Sequence, residues 1–387
     1  MASEQLTLPD VLVQLKFVIF SWPNNQLLKK DPLARSFFRT HVTLASFASL
    51  LGGFPLTLYE ASLASSPTEL FLSAAQCAAL INKLAESMGQ TRASQSWKPA
   101  ANHARESLQK STGGGIKSLV FRSQAELERR FAQLKDLADW AETTKHWAAL
   151  KRAQDVWKRV QEGALKAEMA PVFLAIDIET FESDHDVVTE VGFSKLEMND
   201  EGWQPLVTEH FVVQENAQYR NGRFCPDARD YFHFGASTLI PSQKLRRKLQ
   251  DELLVPGGPI FLFLHDARSD VKSLNLLGVN INTYERASPL PPPDDPVYVD
   301  GGAFLLDTQH LFSGFSRRKK QVRLQDACET LGVVLDDGAK VAWHNSGNDA
   351  WATLQVFLKL MMAELGTAEA ALRSPAQLPP LNGNDGR

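Results

Sequence analysis

The chain has 387 residues, with 41 Lys+Arg against 45 Asp+Glu and a formal net charge of -4. At about 100–200 residues per domain, this length predicts two or three domains, each able to bury a core. Charged residues at 22% and hydrophobic residues at 44% exclude a wholly disordered chain. The mild acidity excludes a protein that holds polyanions by bulk positive charge, but it does not exclude a local basic track.

Cysteine usage and the N-terminal sequence indicate a reducing compartment. Cys77, Cys225 and Cys328 lie far apart and form neither a zinc-type spacing nor a disulfide framework. The first residues contain no basic stretch followed by an apolar one, which argues against a secretory signal. The longest apolar stretch, 42–59, is interrupted by glycines and a proline, so we expect no membrane contact. The sequence therefore predicts a cytoplasmic or nuclear protein.

The first part of the chain shows helical periodicity. Apolar residues recur at helical spacing in 12–20, 37–51 and 70–84, which predicts an all-α N-terminal region over 1–121. Ser123 and Glu126 form a capping-box pattern, and an apolar stripe with three tryptophans follows. Residues 122–170 are therefore predicted to be one long helix or a helical hairpin that links two domains. Such a stripe is typical of core or interdomain packing, and the helical region is a candidate for binding a protein partner.

The periodicity changes near Pro171, where strand and helix patterns begin to alternate. This order predicts an α/β domain over 171–366, with a mixed five-stranded sheet flanked by helices, and a disordered tail over 367–387. The predicted strands are 172–179, 187–196, 206–214, 260–265 and 304–308, and the predicted helices are 242–254, 269–277, 323–331 and 348–365.

Two carboxylates end the first predicted strand of this domain. Residues i and i+2 of a strand share a face, so Asp177 and Glu179 lie side by side at the carboxyl end of the sheet. Close carboxylates repel each other, and their burial is costly unless a cation neutralises them. A lone Asp-x-Glu is a common tripeptide, and by itself it is more often an incidental pair of acids at an exposed strand end.

Two further segments contain residues that can act with this pair. Asp270 follows the fourth predicted strand at a strand-to-helix junction, where α/β folds place their ligands, although an acid there also fits an N-terminal helix turn. His344 lies just before the last long helix and Asp349 lies in its first turn. A histidine and a carboxylate so placed suit metal-assisted hydrolysis, whereas a lone histidine is more often a capping or core-edge residue.

The ordered set D-x-E, then H-x-x-x-x-D after a strand, then H-x-x-x-x-D opening a helix resembles the DEDDh 3′–5′ exonucleases of the ribonuclease H-like superfamily. The segments Tyr219-Arg220-Asn221-Gly222-Arg223 and Phe232-His233-Phe234-Gly235-Ala236-Ser237 resemble a fungal branch related to Gfd proteins. The resemblance covers about Pro171 to Leu365. Two departures are Leu264-His265-Asp266, where the family has Gly-His-Asn, and Ser269, where it has an aromatic residue.

The resemblance implies a ribonuclease H-like fold and a metal-dependent 3′–5′ exonuclease that acts on RNA or single-stranded DNA. It implies that two Mg²⁺ or Mn²⁺ ions are held by the four acids and that His344 is the general base of a two-metal mechanism. The metal ligands so implied are Asp177, Glu179, Asp270 and Asp349.

Nucleic acid also requires cations along its backbone and rings for its bases. A charged run is as often only a solvated face, and an aromatic residue after the first motif can be simple packing. The candidates for nucleic-acid contact are Phe181, Arg220, Arg223, Arg268, Arg317, Arg318, Lys319 and Lys320.

Two alternatives to the exonuclease remain open from the sequence. One is a catalytically weak or inactive adaptor that binds nucleic acid or protein on the same fold. The other is a structure-specific endonuclease.

Overall fold

A computed structural model describes most of the chain, and the account below is restricted to these residues. They are 11–21, 32–62, 68–87, 89, 102–104, 115–163, 171–199, 202–204, 206–254, 258–284, 289–298, 300–317, 322–335 and 341–365. The predicted disordered tail, 367–387, lies outside them. None of the helices in these ranges is both long and apolar enough to cross a membrane.

Two compact units divide the chain between Ala141 and Glu142. The first unit contains a five-stranded antiparallel sheet in the order β4-β1-β3-β2-β5. Its apolar core is formed by the sheet, α1, α3 and the first turns of α4. Its elements are β1 (Val11–Gln14), a π-helical turn (Phe17–Ser21), α1 (Pro32–His41), α2 (Phe47–Leu50), β2 (Leu56–Ser62), β3 (Thr68–Ser73), α3 (Ala74–Ser87), β4 (Asn102–Ala104) and β5 (Lys117–Phe121).

The prediction of an all-α N-terminal region is therefore wrong. The segment 12–20 begins as strand β1, and the segment 70–84 begins within strand β3 before helix α3 starts. Leu70, Phe71 and Leu72 are all buried, because β3 lies inside the sheet between β1 and β2. A short continuous apolar run does not distinguish a buried strand from a buried helix.

A single helix, α4 (Gln124–Gln161), occupies most of the segment in which the sequence left open one helix or a hairpin. Ser123 precedes it and accepts a hydrogen bond from the N–H of Glu126 (3.3 Å). The Glu126 carboxylate in turn accepts from the N–H of Arg122 (2.6 Å). This reciprocal pair satisfies backbone donors that the first turn of a helix leaves open.

The second unit is built on a mixed sheet in the order β10-β9-β7-β6-β11-β12, with β8 paired to β7. Strands β6, β11 and β12 are parallel, whereas β7 is antiparallel to both β6 and β9. The strands are β6 (Val172–Phe181), β7 (Asp184–Asn199), β8 (Gly202–Trp203), β9 (Val207–Val213), β10 (Thr238–Ile240), β11 (Ile260–Leu264) and β12 (Ala303–Asp307).

The helices of this unit cover both faces of the sheet. They are α5 (Ser242–Leu253), α6 (Ala267–Leu276), α7 (Thr308–Ser316), α8 (Leu324–Leu331) and α9 (Ser346–Met362). One face packs on α9 and the last turns of α4 around Phe173, Phe263 and Phe357. The opposite face packs on α5 and α6 around Ile176, Ile178 and Leu262.

The predicted mixed α/β sheet flanked by helices is confirmed, with six strands in the ordered path where five were expected. The sixth is β10, which pairs in parallel with β9. It spans only three residues, none of them fully buried, so it shows little of the apolar pattern by which strands are recognised. Helix α7 was also missed. Its first residue, Thr308, is the last residue of the predicted strand 304–308.

Candidate active site

The site forms where β6 ends. Asp177 and Glu179 alternate with Ile176 and Ile178, so the acids share one face and the isoleucines pack into the core on the other. Across the antiparallel ladder, Asp177 is opposite Gly192 and Glu179 is opposite Glu190 of β7. The acids therefore point toward the side of the sheet that α9 covers.

Helix α9 approaches this side of the sheet unusually closely. A Cβ placed on Gly192 would lie 2.0 Å from the carbonyl oxygen of Ser346, at the start of α9. Only a glycine at position 192 permits this approach, because real Cβ atoms never come so near to a backbone oxygen. The contact brings Asp349, in the first turn of α9, over the strand that carries Asp177.

Three carboxylates converge as a result. One carboxylate oxygen each of Asp177, Glu179 and Asp349 lies within 4.8 Å of the other two. Asp270, in the first turn of α6, lies outside this group of three, but its negative charge raises the pKa of Asp177. The structure thus brings together the four acids singled out in the sequence, three of them within ligand distance of one ion.

The electrostatics of this cluster are those of crowded, desolvated acids. Burial, followed by the charge of Glu179, raises the pKa of Asp349 to about 8. Burial also raises the pKa of Asp177 well above its ordinary value, and the charge of Asp349 makes the second largest contribution. For Asp270, burial again raises the pKa most, while a backbone hydrogen bond from Ile178 opposes the shift. Without a cation, these groups resist ionising together.

One acceptor in the cluster lacks a donor. Asp349 Oδ2 accepts a hydrogen bond from the N–H of His344 (3.0 Å). Asp349 Oδ1 is buried, and none of the described residues donates a hydrogen bond to it. A buried acceptor without a partner is costly, and a divalent cation with oxygen ligands would satisfy it. The donor set, all carboxylate oxygens, therefore fits Mg²⁺ or Mn²⁺.

His344 lies at the solvent side of the cluster. Its side chain is about half exposed, and its Nδ1 lies 3.8 Å from Glu179 Oε1. The nearby Glu179 carboxylate raises the pKa of His344, and burial opposes the shift. The residue adopts a left-handed backbone conformation (φ 67°), which is uncommon for a side chain of this size. The backbone here turns so that the N–H reaches Asp349 while the ring stays at the surface.

A buried ion-paired network lies beside the site on β7, opposite Glu179, and was not among the predicted site residues. Arg229 Nε donates to Glu190 Oε1 (2.9 Å), and Glu190 Oε2 lies 3.0 Å from His210 Nε2. The Arg229 guanidinium also donates to the carbonyls of Ala217 and Tyr219. Glu190, Gly192 and Ser194 share one face of β7, and this run of small and polar residues at alternate positions was the available signal.

The loop 217–237, which carries both segments of the fungal resemblance, is fastened beside the carboxylates. Glu182 accepts hydrogen bonds from four consecutive backbone N–H groups, those of residues 222–225. At the other end of the loop, Asn345 donates to the carbonyls of Ala228 and Arg229. Asn348 donates to the carbonyl of Tyr231 (2.8 Å) and accepts from the N–H of His233 (3.0 Å).

The residues predicted to contact nucleic acid are placed in different surroundings. Phe181 packs on Tyr219, with 5.2 Å between ring centroids. Arg220 binds Asp227 and Asp230 at 2.5 and 2.6 Å, so its guanidinium is already engaged by two carboxylates. Arg317 ends α7 in a left-handed conformation. Arg318, Lys319 and Lys320 lie outside the described residues.

Arg268 lines a separate cavity of about 560 Å³ beside the end of β12. None of the four predicted metal ligands borders this cavity. His146 and His310 stack on its wall with ring centroids 4.6 Å apart, and burial lowers the pKa of His146. Arg268 also pairs with Asp266 at 3.3 Å, so the extra acid of the second motif turns toward this arginine.

Residues 172–360, slightly less than half of the chain, match the family model described as "DNA polymerase III subunit epsilon-like, C-terminal domain", of the DEDDh group. An uncharacterized nucleolar protein of Schizosaccharomyces pombe, C2C4.08, is 29% identical over 223 residues, which are 56% of this chain and 82% of that protein.

Two Saccharomyces cerevisiae proteins are more distant. The uncharacterized protein YDR514C is 28% identical over 207 residues (49% of this chain, 41% of that protein). "Good for full DBP5 activity protein 2" is 26% identical over 215 residues (50% and 36%). The chain thus spans less than half the length of these two relatives.

Among solved structures, Escherichia coli exonuclease I in complex with an oligonucleotide gives a TM-score of 0.29 at 12% identity, covering 49% of this chain and 40% of that chain. Over residues 172–360, the second unit is thus similar to the DEDDh group.

Proposed function

We propose that this protein is a metal-dependent 3′–5′ exonuclease that removes nucleotides from the 3′ end of RNA or single-stranded DNA. The observation that carries the proposal is the convergence of Asp177, Glu179 and Asp349 within 4.8 Å, with one buried oxygen of Asp349 lacking a donor. Such crowding of desolvated acids is unfavourable unless a divalent cation binds. An arrangement that costs stability in the empty site is typical of a functional centre.

Asp177, Glu179 and Asp349 would hold a first Mg²⁺ or Mn²⁺ ion, and Asp270 would take part in holding a second. When bound, the ions would acidify a water and stabilise the charge that develops on the phosphodiester. The protein itself fixes the ligands. The glycine at position 192 lets α9 pack closely on the sheet. The His344 N–H binds one oxygen of Asp349 and so leaves the other oxygen to ligate an ion.

His344 is placed to accept the proton of the attacking water. Its ring is half exposed and hence accessible, and Glu179 is close enough to stabilise the imidazolium that forms. Because carboxylates hold the ring and raise its pKa, the imidazole is basic enough to act near neutral pH. The role of His344 as general base is thus supported by its position and its partner.

The nucleolar relative from Schizosaccharomyces pombe supports a nuclear location for this chain. Arg223 is the predicted cation best placed to meet a phosphate near the site, because none of the described carboxylates pairs with it. Arg220, in contrast, would have to break two ion pairs first.

A nuclease assay on 3′-labelled and 5′-labelled oligonucleotides tests the proposal. We expect stepwise loss from the 3′ end with Mg²⁺ or Mn²⁺, none with EDTA, and none with Asp177→Ala. Asp251→Ala, which removes an exposed acid of α5, is the matched control and should retain activity. A circular substrate should remain uncut, and cutting of it would indicate an endonuclease. Binding without any metal-dependent loss of nucleotides would refute the proposal and favour the adaptor alternative.

A further inference from the structure

Loop 217–237 presents large aromatic rings to solvent next to the carboxylate cluster. The Phe224 side chain is 71% exposed and that of Tyr231 is 65% exposed. Burial of such rings is favourable, so a loop that holds them in water has no folding reason to do so. Their exposure points to a ligand with which the rings make contact.

The loop holds these rings on a fixed backbone. Glu182 binds the N–H groups of residues 222–225, which include that of Phe224 (2.8 Å). The Tyr231 carbonyl accepts from Asn348, and Arg220 joins the two halves of the loop through Asp227 and Asp230. Hydrogen bonds thus fix the backbone at Phe224 and at Tyr231. Little further conformational entropy is lost when a ligand binds to a surface that is preorganised in this way.

Both anchors are also linked to the candidate metal site. Glu182 follows Glu179 by three residues, and the charge of Glu179 raises the pKa of Cys225, after the larger effect of burial. Asn348, which holds Tyr231, directly precedes Asp349. The backbone segments that carry the two rings are therefore tied to residues that neighbour the carboxylates in sequence.

Phe224 has one face covered and one face open. The guanidinium carbon of Arg223 lies 4.8 Å from the Phe224 ring centroid, a cation–π contact. The other face is left to solvent, given the high exposure of the ring. A planar ligand on that face would complete a stack with Arg223 behind it, and the arginine charge would lie near the phosphate of that ligand.

We propose that Phe224 and Tyr231 form a base-stacking subsite for unpaired nucleobases of a single-stranded nucleic acid whose 3′ end lies at the carboxylates. The proposal rests on the proposed function and names how that site holds its substrate. Every nucleobase has a π-face, so stacking accepts a strand irrespective of its sequence. A protein partner would instead require a contiguous apolar patch, whereas charged residues separate these rings: Arg220, Arg223, Asp227 and Asp230.

Fluorescence anisotropy on the full chain tests the subsite without relying on turnover. All proteins carry Asp177→Asn, and the probes are a labelled oligothymidylate and an abasic strand of the same length. With the loop intact, we expect tighter binding of the base-containing strand. Phe224→Leu and Tyr231→Leu should each weaken that binding by roughly 5- to 150-fold and leave abasic binding almost unchanged. Phe224→Tyr keeps a ring and should retain the preference. Val334→Ala, which changes an exposed apolar residue outside loop 217–237, is the control.

The other outcomes separate the explanations. An equal loss on both strands would show that the rings act only on the structure of the loop. No loss on either strand would overturn the subsite and leave the rings to a protein contact. A protein that shows the base preference but no nuclease activity before Asp177→Asn is introduced would contradict the exonuclease and leave the subsite standing.

Discussion

The carbonyl oxygen of Ser346 lies so close to Gly192 that a Cβ on this glycine would come within 2.0 Å of it. Gly192 is also the residue opposite Asp177 in the β6–β7 ladder. The absence of one side chain on β7 therefore determines how near the first turn of α9 comes to the first acid of β6. The close approach of Ser346 to Gly192 therefore determines the distance between the acids of β6 and Asp349 of α9.

Gly192→Ala should accordingly displace the start of α9 and separate Asp349 from Asp177. We expect a destabilisation of about 1–3 kcal/mol, typical of overpacking, and loss of nuclease activity by more than about 10²-fold. Thermal unfolding and the oligonucleotide assay measure the two effects. Ser194→Ala, two residues along the same strand face, removes only one hydroxyl contact with Thr208 and should keep most activity. Full activity in Gly192→Ala would contradict this account.

Asp349→Asn should stabilise the metal-free protein above neutral pH. The folded-state pKa of Asp349 is about 8, above its ordinary value of 3.8. The folded state thus binds a proton more tightly than the unfolded chain, and stability falls as pH rises between these values. At pH 8 we expect the variant to gain on the order of 1–2 kcal/mol in EDTA.

Magnesium should reverse that order. Addition of Mg²⁺ should raise the melting temperature of the wild type and have little effect on Asp349→Asn, because the ion loses a ligand. Differential scanning fluorimetry of both proteins at pH 6 and pH 8, with EDTA or Mg²⁺, gives the melting temperatures to compare. An equal response of both proteins to Mg²⁺ would mean that Asp349 is not a ligand.

His344→Ala should slow turnover strongly without abolishing metal binding. We expect a fall in kcat of about 10²–10⁴-fold, the usual contribution of a general base, and loss of the rising limb of the pH–rate profile. In the wild type the rate should rise with pH as the imidazole loses its proton, at a pKa raised by Glu179. The thermal shift caused by Mg²⁺ should remain. A variant that loses that shift would place His344 among the groups on which metal binding depends.

The Glu190–Arg229 pair should be energetically coupled. Arg229→Met leaves Glu190 buried with only His210 as partner, and we expect a loss of about 3–5 kcal/mol. The double variant Arg229→Met with Glu190→Gln should be less destabilised than the sum of the single variants. Urea denaturation of the four proteins in this cycle measures the coupling. Strict additivity would show that the two residues act separately.

Glu182→Ala should increase the mobility of loop 217–237 without affecting the rest of the second unit. Its carboxylate binds the N–H groups of residues 222–225, with the Phe224 contact lowering its pKa most. Because that pKa is depressed, these bonds are complete at neutral pH and are lost only on strong acidification. Hydrogen exchange at residues 222–225 should accelerate in the variant, while exchange in β11 stays unchanged. Unaltered exchange in the loop would mean that other contacts hold it.

Much of the second unit was predictable from local patterns. The β6 strand, its alternating acids and isoleucines, and the polar opening of α9 are each coded within a few residues. The boundaries shifted by a few residues, since helix ends depend on caps such as Asn345, which accepts from the N–H of Asn348. Local periodicity therefore located the carboxylates, although not their distances.

What the sequence did not reveal depends on contacts between distant segments. Arg229 and Glu190 are 39 residues apart, and the alternating small and polar residues of β7 do not indicate which residue pairs with Glu190. The sheet of the first unit was missed for a related reason, because β1 pairs with β3 and β4, both far along the chain. A residue pattern reports which face is apolar, whereas strand partners are decided by the whole fold.

The amide of Asn348 has a consequence for how this protein could be altered. One side chain serves the carbonyls of Tyr231 and Ala342 and the N–H of His233, so both of its N–H donors and its carbonyl oxygen are engaged. A loop transplanted from a relative would leave these groups without partners unless position 348 were exchanged with it. The loop and the first turn of α9 are thus linked through one side chain, and a variant that exchanges the loop should exchange position 348 with it.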